Sequence, residues 1–175
     1  MPYNRDNISA AVYLGLGSNL GDREANLQKA LKMLSEQTAI KITRVSSIYE
    51  TAPVGIIEQP DFLNLVAEAQ TTLEPQDLLA VILNLENQMG RVRNLRWGPR
   101  VIDVDLLIYG SERLHFPGLT VPHPRLLERA FVLVPLVEIA PDLQLTDDGL
   151  TAAEALKKLF QLGNISSVVS STYKL

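Results

Sequence analysis

Two aspartates, Asp103 and Asp105, stand two positions apart in a segment whose other residues are apolar, residues 101–107. On a β-strand, side chains two positions apart point to the same face and are separated by about 6.6 Å along the backbone. Two carboxylates on one apolar face repel each other and lose hydration unless a cation lies between them. The pair is therefore interpreted as a ligand set for a hard divalent cation such as Mg²⁺.

Four arginines precede this strand within ten positions, although the chain has only 16 lysines and arginines in total. They are Arg91, Arg93, Arg96 and Arg100. Guanidinium groups pair with phosphate oxygens, and Mg²⁺ in proteins is usually held by one or two carboxylates together with substrate phosphates. Separately, the aspartates would be read as a solvated strand face and the arginines as a solvated loop. Together they favour a metal–phosphate site for phosphoryl transfer.

Three glycines, Gly15, Gly17 and Gly21, follow the first apolar run of the chain. Their spacing differs from the dinucleotide-binding fingerprint, and the Lys-Ser/Thr pair of a P-loop is missing. We interpret them as a tight turn with positive φ beside the catalytic face rather than as a phosphate cradle.

The elements that must position these residues follow the order β-α-β-β-α-β. Apolar and β-branched runs predict strands at residues 11–17, 40–49, 62–73 and 101–109. Apolar stripes at helical spacing predict two helices, one capped by Asp22 and one running from Pro75 to Gly90. This order predicts an α+β fold with a ferredoxin-like core, in which a mainly antiparallel sheet carries its helices on one face.

Further elements are predicted around and after this core. Residues 51–61, between the second and third strands, form a loop marked by proline and glycine. A short strand is predicted at residues 119–122, a helical turn at residues 124–129, and a helix after a capping box formed by Thr151 and Glu154. Residues 166–171 have the composition of a loose tail.

The composition predicts one domain, residues 1–175, with a substantial core, because 46% of the residues are hydrophobic and 21% are charged. A net charge of −4 gives no global attraction to nucleic acid or to an anionic membrane, so the basic cluster should serve a small ligand. The absence of cysteine excludes disulfides and thiolate metal sites. Without a signal peptide or an apolar run long enough to span a membrane, a cytoplasmic protein is expected.

Six segments carry recognisable motifs in a fixed order: residues 14–22, 49–55, 59–64, 90–93, 96–105 and 121–125. Together they resemble the 6-hydroxymethyl-7,8-dihydropterin pyrophosphokinase family of folate biosynthesis. The resemblance covers a core of about residues 11–142 and leaves out an N-terminal extension, residues 1–9, and a C-terminal helix and tail, residues 150–175. It implies transfer of the terminal pyrophosphoryl group of ATP to the hydroxymethyl oxygen of the pterin, which releases AMP, with two Mg²⁺ ions in the site.

The resemblance also implies a role for each matching residue. Asp103 and Asp105 would bind both Mg²⁺ ions, and Arg91 and Arg100 would act with them in catalysis. Contacts to ATP are implied for Glu86, Arg91, Arg93, Arg100, His123 and Arg129. Contacts to the pterin are implied for Thr51, Pro53, Val54, Gly55, Phe62, Asn64, Trp97 and Phe131. Within that set, Trp97 and Phe131 would stack on the ring and Asn64 would face its polar edge.

Other interpretations stay open from the sequence. A noncatalytic ferredoxin-like module could bind RNA or a small regulatory ligand, although RNA binding favours exposed aromatic residues on central strands, where this sheet has two aspartates. A paralogue could bind the pterin without turnover. Trp97 could be a core residue, and His123 could be a neutral histidine held in a turn. A monomer is expected, with small-molecule substrates and no nucleic-acid or membrane partner.

Overall fold

The computed structural model describes residues 9–53, 58–91, 98–163 and 168–170. Its strands are β1 (Ala10–Ser18), β2 (Ile40–Val45), β3 (Tyr49–Thr51), β4 (Phe62–Thr71), β5 (Asp103–Tyr109), β6 (Leu114–Phe116), β7 (Leu119–Val121) and β8 (Val168–Ser170). Its helices are α1 (Arg23–Ser35), α2 (Pro75–Gln88), α3 (Ala130–Ile139) and α4 (Ala152–Gln161), with a 3₁₀ turn at Leu126–Glu128. These elements confirm the α+β class.

The main sheet has six strands in the order β5-β1-β4-β3-β8, and β2 also pairs with β4. Each of these pairings is antiparallel. β6 and β7 form a separate hairpin. β1 is paired along its whole length with the other central strand, β4, and β5 with its aspartates is registered against the other side of β1.

Hydrophobic cores lie on both faces of the sheet, because successive side chains of a strand point to opposite faces. Val12 and Leu14 of β1 pack into a core with α1 and α2. Tyr13, between them, packs into a second core with α3 and α4. The two helices of the predicted core, α1 and α2, therefore lie on one face, as expected. The helices that follow, α3 and α4, form a second layer on the opposite face, and this layer bears directly on the site because it begins with α3.

The sequence pattern did not predict α3, because the helix is apolar on every side. Its sequence, AFVLVPLVEI, has no polar stripe, and Pro135 lies inside it. A helix that is hydrophobic all round is a buried one. Here α3 is packed between the sheet and α4, with Val132, Leu133 and Leu136 buried.

Polar contacts fix the C-terminal end of α3 to the sheet. Glu138 accepts hydrogen bonds from the backbone N–H of Ser47 at 3.0 Å and from Tyr49 Oη at 2.6 Å. Burial, followed by this hydrogen bond to Glu138, raises the pKa of Tyr49 to about 12. Arg44 reaches the same end of the helix and donates to the carbonyl oxygen of Ile139. The helix is thus held at a fixed height above β3, and its first turn stands over the pocket described below.

The predicted starts of three helices are confirmed. Asp22 accepts a hydrogen bond from the N–H of Ala25 at 3.0 Å, Pro75 is the first residue of α2, and Thr151 and Glu154 form the capping box of α4. In the described part of the chain, no helix combines the length and the apolar character that a membrane span needs.

Two strand predictions need correction. The strand expected at residues 40–49 is interrupted at residues 46–48, where Ser46 Oγ bonds with the backbone N–H of Val66 at 3.0 Å and the chain turns into β3. The segment expected to be a loose tail contains β8, which pairs antiparallel with β3 and covers its edge. An uncovered strand edge presents unpaired backbone groups, which pairing with a further strand satisfies.

Candidate active site

The two aspartates of β5 lie beside glycines of β1. In the antiparallel register, Gly15 pairs with Asp105 and Gly17 with Asp103, while on its other side Gly17 pairs with Asn64 of β4. Because glycine has no side chain, the sheet face between the aspartates and Asn64 remains open. A pocket of about 100 Å³ occupies this face.

Eight of the predicted site residues line this pocket: Thr51, Phe62, Asn64, Arg100, Asp103, Asp105, Arg129 and Phe131. They come from β3, β4, the segment before β5, β5 itself and the start of α3. Residues that are as much as 80 positions apart in sequence therefore meet in one place. Pro53 is half-buried at the end of a described segment, while Val54, Gly55, Arg93 and Trp97 lie outside the described residues.

Gly17 is in close contact with the amide of Asn64. A Cβ at position 17 would lie 2.6 Å from Asn64 Oδ1, which is closer than van der Waals contact permits. Asn64 is buried, and its Nδ2 donates to Thr51 Oγ1 at 2.7 Å, so the amide is fixed from two sides. The expected tight turn with positive φ is found only at Gly21, with φ of 66°, while Gly15 and Gly17 lie within β1.

Arginines neutralise both carboxylates. Asp103 is paired with Arg91 at 2.9 Å and also with Arg100. Asp105 is paired with Arg129 at 3.3 Å. The guanidinium carbon of Arg129 stands 5.5 Å from the centre of the Phe131 ring. These guanidinium groups would bind the oxygens of a polyanionic ligand if a cation took their place at the carboxylates.

Glu86 of α2 holds this cluster in place through contacts with Arg91 and β5. Its side chain is 1% exposed. One carboxylate oxygen accepts a hydrogen bond from the backbone N–H of Val104 at 2.8 Å and pairs with Arg91. Since a buried carboxylate is stable only when it is paired, Glu86 and Arg91 fix each other. The structure places Glu86 as a support for Arg91 and β5, a role that the sequence did not indicate.

The carboxylates of Asp103 and Asp105 suit a divalent cation that keeps several coordination positions for water or substrate. Burial, then the charge of Asp103, raises the pKa of Asp105 to about 6. A bound cation relieves both the desolvation and the repulsion. Among the described residues, no group of three or more histidine, aspartate, glutamate or cysteine side chains forms a closed metal cage. Two carboxylates that leave positions for water and phosphate oxygens match the preference of Mg²⁺.

The comparison with known proteins decides the family. Residues 13–141 match the family described as 7,8-dihydro-6-hydroxymethylpterin-pyrophosphokinase (HPPK). The chain belongs to this family. It is 48% identical over 133 residues to the 2-amino-4-hydroxy-6-hydroxymethyldihydropteridine pyrophosphokinase of Bacillus subtilis, covering 76% of this chain and 80% of that protein. The protein of the same name from Methylorubrum extorquens is 48% identical over 148 residues, or 85% of this chain and 92% of that protein.

HPPK domains also occur in longer proteins. The folate synthesis bifunctional protein of Pisum sativum is 47% identical over 128 residues, which are 73% of this chain and 25% of that protein. A crystal structure of the HPPK-DHPS protein of Plasmodium falciparum superposes with a TM-score of 0.72 at 15% identity, covering 93% of this chain. This chain spans about half of that structure, 48%, and at such low identity the likeness shows the fold alone.

Replacement of Asp105 by asparagine is expected to stabilise the metal-free HPPK chain above about pH 6, by a few degrees in Tm. Because the pKa of Asp105 is raised to about 6, the folded protein binds this proton more tightly than the unfolded chain does. Wild-type stability therefore falls as the pH rises through the interval between about 4 and 6. Asparagine keeps the acceptor for Arg129 and has no charge to desolvate. Thermal melting without Mg²⁺ at about pH 7.5 and about pH 4.5 measures the difference.

The gain in Tm should shrink towards zero at the lower pH. Asp147→Asn is the control, because this carboxylate is 87% exposed and lies in a surface pair with Arg113. A lower Tm for Asp105→Asn than for the wild type at the higher pH would contradict the proposed repulsion.

His123 is held as a neutral imidazole. Burial, and then the charges of Arg129 and Arg125, lower its pKa to about 4. Its Nδ1 accepts the backbone N–H of Arg125 at 3.1 Å, which leaves the proton on Nε2. The backbone N–H of His123 donates to the carbonyl oxygen of Leu107 of β5 at 2.8 Å and holds the residue in place. At neutral pH it can therefore donate a hydrogen bond without adding charge.

Sequence reasoning missed three residues that hold the site together: Asn19, Arg23 and Gln59. Their contacts join parts of the chain that are about 30 to 80 residues apart, so no local periodicity indicates them. For Asn19 and Arg23 the available signal was residues 18–23, four of which are polar or charged, at the end of a buried strand and beside glycines. Such a run at the end of a strand often carries function.

Proposed function

We propose that this chain transfers the pyrophosphoryl group of ATP to the hydroxymethyl oxygen of 6-hydroxymethyl-7,8-dihydropterin in folate synthesis. The observation that carries the proposal is the pair of carboxylates, Asp103 and Asp105, surrounded by arginines at one side of a pocket. The other side of the same pocket has a fixed amide, Asn64, and an aromatic ring, Phe131. The family and the names of the relatives support the same activity.

The reaction forms a bond between the hydroxymethyl oxygen and the β-phosphorus of ATP. It breaks the bond between the β-phosphorus and the oxygen shared with the α-phosphate, so AMP leaves and the hydroxyl loses its proton. Little covalent chemistry falls to the protein in such a transfer, and catalysis consists of positioning and charge stabilisation.

Asp103 and Asp105 are the residues that would hold two Mg²⁺ ions. Metal bound there would neutralise the triphosphate and align the attacking and leaving oxygens. The common face of the two carboxylates and the open glycine face beside them support this assignment. So does the raised pKa of Asp105, because burial and repulsion from Asp103 are both relieved by a cation.

Arg91, Arg100 and Arg129 would exchange partners when ATP binds. In the structure they are paired with the two aspartates. When the carboxylate oxygens bind metal, these guanidinium groups are left to take the phosphate oxygens as their partners. The pairing with Glu86 keeps Arg91 in place through the exchange, and Arg93 and His123 are proposed as further contacts to the nucleotide.

The pterin would occupy the part of the pocket between Asn64 and Phe131. A pterin is flat and has hydrogen-bonding groups along its edge, which suits one stacking face and one fixed amide. Thr51 holds that amide, and Phe62 lines the pocket without the hydroxyl that a tyrosine would provide. The remaining pterin contacts that we propose are Pro53, Val54, Gly55 and Trp97.

We also propose that the core has the ferredoxin-like arrangement and that the chain forms one domain and acts as a monomer. The order β5-β1-β4, with β2 on the far side of β4, supports the first proposal. So does the position of α1 between β1 and β2 and of α2 between β4 and β5.

One assay tests the proposed activity. AMP should form from ATP only when both the hydroxymethyl-dihydropterin and Mg²⁺ are present, and addition of EDTA should stop it. Formation of ADP would instead indicate transfer of a single phosphoryl group. Tight pterin binding without AMP would identify a binding protein that lacks turnover.

A further inference from the structure

The turn between β1 and α1 contacts two segments that border the pocket. We call residues 19–23 the anchor turn, residues 58–62 the pterin segment and residues 98–102 the arginine segment. The pterin segment leads into β4 and contributes Gln59 and Phe62 to the pocket, and the arginine segment contributes Gly98 and Arg100. The anchor turn itself is absent from the pocket lining among the described residues, so its contacts act on the site through these two segments.

Asn19 joins the two segments. Its backbone N–H donates to the carbonyl oxygen of Arg100 at 3.0 Å, and its Oδ1 accepts the N–H of Arg100 at 2.7 Å. Its Nδ2 donates to Gln59 Oε1 and to the carbonyl of Pro60, both at 3.1 Å. Asn19 is only 1% exposed, so a buried amide that uses both of its donor hydrogens and its oxygen fixes the backbone at two places at once.

Of the two segments, Arg23 contacts the pterin segment, and within the described residues it has no bond to the arginine segment. Its Nη1 donates to Glu50 Oε1 and to the carbonyl oxygen of Asp61, both at 2.8 Å. These two partners belong to the end of β3 and to the residue before β4, the two sides of the stretch that separates the strands. Arg23 is also the first residue of α1, where a cation interacts unfavourably with the helix dipole. Its contribution is therefore to the neighbouring segment rather than to its own helix.

We propose that the anchor turn is a positioning element of the active site, in which Asn19 holds Arg100 and the pterin segment in one arrangement and Arg23 closes the pterin segment. The inference rests on the proposed function for the identity of the two substrates. The proposal predicts different effects for the loss of Arg23 and the loss of Asn19. Loss of Arg23 should affect the pterin, whereas loss of Asn19 should affect both substrates and the rate.

Steady-state kinetics of three variants tests the separation. Arg23→Ala should raise the KM for the pterin about three- to fivefold, as expected for a partly exposed ion pair, with the KM for ATP changed less than about twofold. Arg23→Lys should recover most of this loss. Asn19→Ala should lower kcat about 10- to 100-fold and raise both KM values, because a small displacement of Arg100 misaligns the triphosphate.

Asn26→Ala is the matched control. Asn26 donates to Ser18 Oγ at 3.2 Å and to the carbonyl of Leu20 at 2.8 Å, so its loss loosens the same part of the chain without removing a bond to either segment. If Asn26→Ala lowers kcat as much as Asn19→Ala at a similar Tm, the effect is general loss of stability and the proposal is wrong. An equal change of both KM values in Arg23→Ala would also overturn it.

Hydrogen exchange of the empty proteins tests the same inference without turnover. Asn19→Ala should speed exchange at the Arg100 amide and in residues 58–62 together, whereas Arg23→Ala should speed exchange in residues 58–62 alone. Equal protection of both segments in wild type and Asn19→Ala would show that Asn19 does not join them. If the wild type forms no AMP, the proposed function fails, and the exchange data still decide whether the anchor turn holds the two segments.

Discussion

Asp105→Ala is expected to reduce ATP-dependent AMP formation about a thousandfold or more, because loss of the proposed metal ligand would remove several kcal/mol of transition-state stabilisation. The fold should be retained. Among the described residues Asp105 is paired weakly with Arg129, at 3.3 Å, and its charge is opposed by Asp103 and Glu86. Single-turnover measurements of AMP at saturating Mg²⁺ give the rate, and thermal melting of the same sample shows whether the fold is retained.

Asp103→Ala should reduce turnover to the same extent as Asp105→Ala. Unlike Asp105→Ala, it should also lower the stability of the folded protein. Asp103 is the partner of both Arg91 and Arg100, so its removal takes one carboxylate from each of two guanidinium groups in a partly buried site, although Arg91 keeps its pairing with Glu86. Asp147→Ala is the control for removal of an acidic side chain far from the pocket. Near-wild-type kcat in Asp105→Ala at high Mg²⁺ would show that this carboxylate is not a ligand, and would leave the pocket without a metal site.

The aspartate pair could be predicted from the sequence because its signal is local. Spacing of two on a strand fixes a common face whatever the rest of the fold does, and the arginines before it lie within ten positions. The starts of α1, α2 and α4 are local for the same reason, since the caps of α1 and α4 and the first-turn proline of α2 each depend on residues within one turn.

The pairing within the site could not be predicted, because it depends on tertiary contacts. Glu86 looks like an ordinary residue of an amphipathic helix until β5 is packed against that helix and its Val104 N–H meets the carboxylate. Arg129 reaches Asp105 only because α3 begins above the sheet, and α3 has no polar stripe to reveal it. The bonds of Asn19 to Arg100 and Pro60 likewise join loops that no periodicity connects.

The interpretation of the three glycines was right for Gly21, which has positive φ, and wrong for Gly15 and Gly17. A glycine-rich run after a strand usually indicates a turn that needs positive φ. Here Gly15 and Gly17 continue β1, and what they provide is an absence of side chains opposite the aspartates. The sequence cannot distinguish these two uses of glycine until the register of β1 with β4 and β5 is known.

Gly17→Ala is accordingly expected to lower pterin affinity about 10- to 100-fold, with a much smaller effect on ATP binding. The added methyl would lie 2.6 Å from Asn64 Oδ1, and Thr51 holds the other end of that amide, so the amide must turn out of its present position. A misplaced hydrogen-bond partner in a pocket costs about 1–3 kcal/mol, which corresponds to that range of affinity. Isothermal titration with the pterin, and separately with a nonhydrolysable ATP analogue and Mg²⁺, measures both.

A double-mutant cycle with Asn64→Ala identifies the route of the effect. Asn64→Ala removes the amide that the methyl would strike, so Gly17→Ala should cost almost nothing further in that background, in pterin affinity and in Tm alike. Two losses that simply add would mean that the methyl acts on the pterin through another contact and not through this amide. Unchanged affinity in both single variants would remove Asn64 from the pterin edge, and the face of β4 beside Gly17 would then be a packing surface rather than a binding one.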